Sequence, residues 1–76
     1  MNKQNRKMIE GYIDSLEDLK QNIESVLDEE TEKLDNMPEG LQESERGESI
    51  RNAIDNLESA SDAIGDAIDY LNDAIE

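Results

Sequence analysis

AIDNLESASDAIGDAIDYLNDAIE, Ala53 to Glu76, decides the fold. Alanine returns every seven residues, at Ala53, Ala60, Ala67 and Ala74. Carried back to Ile50, the same spacing fills two further columns: Ile50, Leu57, Ile64, Leu71 and Ile54, Ser61, Ile68, Ile75. Eleven of these twelve positions are apolar. A disordered segment has no reason to keep that period, whereas an amphipathic helix requires it. The first half follows the scheme less cleanly, in Ile9, Leu16, Ile23; Tyr12, Leu19, Val26; and Ile13, Leu27, Leu34, with breaks at Lys20, Glu30 and Lys33. Three apolar columns in seven exceed the two-column seam of a simple coiled coil and suit a helix that touches two neighbours.

Between the halves lies LDNMPEGLQESERGES, Leu34 to Ser49. Asn36, Pro38 and Gly40 are turn and breaker residues at close spacing. Met37, preceding a proline, is disfavoured in the α region, so the first helix should stop near Asp35. Ser44 followed by Glu45 makes an N-cap with an acid on the first turn. The expected organisation is a single all-α domain: helix over 3–35, turn over 36–44, helix over 45–75, folded as an antiparallel hairpin. A symmetric fold-back pairs residues whose numbers sum to about 81, give or take a turn. It sets Lys33 near Glu48, Glu30 near Arg51, Lys20 near Ser61, and Tyr12 beside Asp69 and Tyr70, with the alanine column allowing close helix approach.

The composition bounds the rest. A chain of 76 residues with no Phe, no Trp and two Tyr has little with which to build a core. It has no Cys and no His, so disulfides and ordinary zinc sites are unavailable. Oligomerisation is the remaining source of stability, and the expectation is a homodimer forming a four-helix bundle. The opening residues, MNKQNRKMIEG, offer no apolar run for a signal peptide or membrane span. That fits a cytoplasmic protein.

The formal charge is −14 and unevenly spread. Residues 1–7 hold Lys3, Arg6 and Lys7 and no acid; residues 8–76 hold four bases and all 21 acids, four minus 21 giving −17. Such a surface repels nucleic acid and anionic lipid and attracts basic proteins. Glu58, Asp62, Asp66, Asp69, Asp73 and Glu76 recur at spacings of 4, 4, 3, 4 and 3. They form one helical stripe about 27 Å long. No lysine is interleaved, aspartate is a poorer helix former than glutamate, and acids in the last turn oppose the macrodipole. The plain reading is a solvated face, neutralised in part by Lys3, Arg6 and Lys7 beside Asp73 and Glu76. The functional reading is regularly spaced negative charge offered to a basic groove, as a nucleic-acid backbone offers it.

Other chemistry finds no support. DEETEKLD, Asp28 to Asp35, lacks the alternating pattern and central glycine of an EF-hand, so no metal is expected. A hairpin offers no pocket to split two carboxylate pKa values, and no nucleophile–base pair or glycine-rich phosphate loop exists. Neither an enzyme nor a cofactor is expected. Gly11 and Gly65 fall on helix positions expected to be exposed, each costing about 1 kcal/mol relative to Ala.

The turn carries a resemblance. Asp35, Asn36, Met37, Pro38, Glu39, Leu41, Gln42, Ser44, Glu45 and Arg46 match a D-N-M-P-E-x-L-Q-x-S-E-R core, followed by a charged, Ala/Ile/Leu-rich helix. In this the chain resembles short acidic proteins of phages and prophages of Gram-positive bacteria. It departs from them at Gly47, where a larger residue, often Tyr, stands. The resemblance implies a viral setting, host cytoplasm as the compartment, and action on a host defence protein. It also implies an alternative: an oligomeric sponge for a host nucleotide signal, with Arg46 and Arg51 as cations beside Asn36, Gln42 and Ser44. Such a sponge would have to bind an anion on a dimer of charge twice −14, or −28. A structural or assembly role without inhibition is the third reading.

Overall fold

The computed structural model describes all residues, Met1 to Glu76. Two long helices, α1 (Lys3–Asp35) and α3 (Glu45–Ala74), pack along their lengths, joined through a short helix, α2 (Glu39–Gln42). There is no strand. The hairpin is a rod of 58 × 14 × 13 Å. α1 begins where Asn2 caps it, its side-chain oxygen accepting the Asn5 N–H at 2.7 Å, and ends at Asn36, immediately before Met37 and Pro38. α3 begins at Ser44, whose hydroxyl accepts the Gly47 N–H at 3.4 Å and donates to the Leu41 carbonyl.

The seam between α1 and α3 has two columns per helix. Labelled as heptad positions a and d, it comprises Ile13, Lys20, Leu27, Leu34 with Ile9, Leu16, Ile23, Glu30 on α1. On α3 it comprises Ile54, Ser61, Ile68, Ile75 with Ile50, Leu57, Ile64, Leu71. All sixteen are at least half-buried, but only Ile13, Ile50, Ile68 and Ser61 are buried outright. The core is therefore thin, as the composition requires.

The third column of each helix lies outside this core. Tyr12, Leu19 and Val26 remain about half exposed, at 53%, 52% and 46%. Ala53, Ala60 and Ala67 flank the seam half-buried and Ala74 is exposed, so the alanines border the helix contact instead of forming it.

The pairing is one turn away from the symmetric register. Ser61 donates to Glu24 at 3.2 Å, and the Lys20 chain passes Gly65, its Cε 3.3 Å from where a Cβ would stand; both pairs sum to 85. The cause is the connection. α2 lies against the first turn of α3, so α3 starts about a turn beyond the end of α1. Three expected neighbours change accordingly: Lys33 pairs with Glu30 on its own helix at 3.1 Å, Arg51 turns to the Gln42 carbonyl at 3.1 Å, and Tyr12 is carried past Asp69 and Tyr70 toward Asp73. Lys20, though it passes Gly65, stays near Ser61 as expected, both donating to the same Glu24 oxygen. Of the two glycines expected on exposed helix positions, Gly11 is exposed, whereas Gly65 is half-buried under Lys20.

Candidate functional site

The six acids of the α3 stripe, Glu58, Asp62, Asp66, Asp69, Asp73 and Glu76, are all exposed. The molecule has two ion pairs, Lys20–Glu24 at 2.5 Å and Lys33–Glu30 at 3.1 Å, and neither involves the stripe. The expected neutralisation by the N-terminal bases does not form: Lys3, Arg6 and Lys7 line a hollow with Glu10, and the Arg6 Nε is buried without a partner.

Antiparallel helices bring equivalent flanks to the same side, so the position following a on α1 lies beside its counterpart on α3. A shallow cleft of about 350 Å³ marks that side. It is lined by Lys20, Glu24, Leu27, Asp28, Glu58, Ser61 and Asp62, from both helices. Glu10, Asp14, Glu17, Asp18 and Glu24 of α1 occupy this flank or the back beside it, together with the α3 stripe. The acidic face is thus built by both helices, twice as wide as one stripe. The α1 acids were absent from the stripe read in sequence, although the heptad that placed Glu58 places them too.

The opposite flank carries no charge over most of its length. On α1 it presents Met8, Tyr12, Ser15, Leu19, Asn22 and Val26; on α3, Ser49, Ala53, Asn56, Ala60, Ala63, Ala67, Tyr70 and Ala74. Fourteen such positions without one charged residue, in a chain 37% charged, cannot follow from composition. Within these spans every Asp, Glu and Arg lies on the other side or the back, and Lys20 in the seam.

Inside the cleft, Glu24 accepts from Lys20 and from Ser61. The hydrogen bond from Lys20, then that from Ser61, holds the Glu24 carboxyl below the usual glutamate range, while the bond to Glu24 raises Lys20 above the usual lysine range. A lowered carboxyl pKa means that this stabilisation is present above the unfolded pKa and is lost as pH falls through the folded one. For Lys20 the stabilisation is present below the unfolded pKa and lost as pH rises through the folded one. The pair therefore acts between these limits. A carbonyl-detected NMR titration should place the Glu24 midpoint below the usual glutamate range, and Lys20→Met should move it upward. An unchanged midpoint in Lys20→Met would remove the pair as its cause.

The turn residues are engaged with the backbone. Gln42 donates its amide to the carbonyls of Leu34 at 3.1 Å and Met37 at 3.0 Å, satisfying the frayed end of α1. Arg51 is committed to the Gln42 carbonyl, Ser44 caps α3 and Asn36 caps α1. Of the five residues considered for a nucleotide, Arg46 and Asn36 have exposed side chains without a hydrogen bond, Asn36 capping α1 through its backbone N–H alone. The structure brings these groups together as a helix cap rather than a cavity, and no pocket lies among them. No cluster of three or more acids is arranged to hold a metal, and no helix is long and apolar enough to cross a membrane.

Crowding of like charge on one face has a measurable consequence. The Debye length falls from about 30 Å at 0.01 M salt to about 3 Å at 1 M. Melting temperature should rise between 10 mM and 1 M NaCl. A fall would mean that the two ion pairs outweigh the repulsion.

No family model matches this chain, and comparison with curated proteins and with solved structures likewise gives no match.

Proposed function

We propose that this chain is a small acidic interaction protein, phage-encoded, that binds and inhibits a basic, nucleic-acid-binding host defence protein by presenting a nucleic-acid-like array of negative charge. It acts as a homodimer in which two hairpins form a four-helix bundle. The observation that carries the reading is the sorting of charge: exposed, unpaired carboxylates from both helices share one face, while the opposite flank is uncharged. A solvated surface needs charge but not this segregation, and here the segregation costs self-repulsion that interleaved lysines would relieve. The thin core and the exposed third apolar column support the dimer.

The test is capture from a Gram-positive bacterial lysate on immobilised protein. Basic nucleic-acid-binding proteins should be retained, should elute with salt, and should be displaced by duplex DNA. Retained proteins that ignore both DNA and salt would overturn the mimicry.

A further inference from the structure

We propose that the uncharged flank is the surface on which a second copy docks, with its two-fold axis parallel to the helices, so that the large side chains of α1 in each copy lie on the alanines of α3 in the other. This rests on the dimer reading above and specifies its interface.

Charge commits the face to a second copy. Two chains of −14 must meet, and along the rod only this flank brings no carboxylate against another. The acidic faces then point outward on opposite sides of a bundle two layers thick. At helix separations of 8–10 Å they stand more than a physiological Debye length of about 8 Å apart.

Shape fixes the axis. The flank is large on one helix and small on the other: Tyr12, Leu19 and Val26 protrude from α1, while Ala74, Ala67 and Ala60 form a shelf on α3. With the observed register, Tyr12 is level with Ala74, Leu19 with Ala67 and Val26 with Ala60, each pair summing to 86. A two-fold parallel to the helices sets α1 of one copy over α3 of the other at the same level, so every protruding residue meets an alanine. A two-fold across the helices would set α1 on α1, Leu19 against Leu19, and leave the alanines facing each other over a gap. Close packing selects the first. The span from Ser49 to Ala74 is about 38 Å long. Two helices wide, the flank would bury about 650 Å² per copy, or roughly 1,300 Å² in all, within the range of specific interfaces.

The chain has no native cysteine, so single cysteines report the arrangement directly. Leu19→Cys and Ala67→Cys chains, refolded together and treated with a short bismaleimide, should give a linked 19–67 dimer. Leu19→Cys alone should give little. Sedimentation equilibrium of the parent accompanies them and should report twice 8.6 kDa. Efficient linkage of Leu19→Cys to itself would overturn the axis. A sedimenting dimer that links at neither combination would overturn the face and leave the dimer reading intact. A folded monomer at micromolar concentration would overturn both.

Discussion

Gly47→Ala is expected to destabilise the hairpin by about 3 kcal/mol, although glycine to alanine inside a helix ordinarily gains about 1 kcal/mol. Gly47 is the third residue of α3 and is buried. A Cβ there would stand 2.1 Å from the Gln42 carbonyl oxygen, 2.6 Å from its carbon and 2.8 Å from its Cα. All three are backbone atoms, so no side chain can swing aside. Relief requires α2 to lift off α3. Lifting breaks the Arg51 bond to the same carbonyl and draws the Gln42 amide away from Leu34 and Met37. Each buried bond lost adds roughly 1 kcal/mol. A domain of this length has only about 4–11 kcal/mol in total, so urea denaturation should show the change plainly. Gly11, with nothing within 4 Å of an added Cβ, supplies the control: Gly11→Ala should be neutral or stabilising. Equal stability of Gly47→Ala and the parent would mean that α2 is not seated on α3.

The largest functional effect is expected from replacing Asp62, Asp66, Asp69 and Asp73 together by Asn. The change preserves size and takes the charge from −14 by four to −10. Stability should hold or rise by about 1 kcal/mol, because like charges four apart and acids near a helix C-terminus each cost a few tenths. Binding to the captured partner should weaken more than tenfold and lose much of its salt dependence, since complementary charge governs encounter and excludes wrong partners. Arg46→Gln, on an exposed cation without a hydrogen bond or ion pair, should leave binding nearly unchanged. Full retention of binding by the Asn variant would end the decoy reading. Loss with Arg46→Gln alone would redirect attention to the turn.

The helices were legible in sequence because periodicity and caps are local properties. Asp35 and Glu45 bound them as Met37–Pro38 and Ser44 imply. The register was not, because it depends on the volume of the connection. Nothing in EGLQ announces that four residues will coil into α2 and displace α3 by a turn. Gly47 illustrates the same limit. It read as a gap in a resemblance, whereas its function is to let Gln42 approach, a contact visible only in three dimensions. Of the acidic face, the α3 half was evident from spacing. The α1 half needed the two helices laid side by side, as did the uncharged flank opposite. Arg51 and Gln42 looked like ligand groups in sequence, because hydrogen-bonding capacity is visible there but its commitment to backbone carbonyls is not.

The rod shape governs how copies of this chain can be counted. Its radius of gyration is 17.2 Å, the value for a compact protein of about 220 residues. On a column calibrated with globular standards a lone hairpin should elute early enough to pass for an oligomer. Side-by-side docking of a second hairpin leaves the length unchanged and, for layers about 10 Å apart, enlarges that radius by less than about 1 Å. The radius of gyration therefore barely responds to the event that doubles the mass. Forward scattering at zero angle, which scales with mass, will register what that radius conceals.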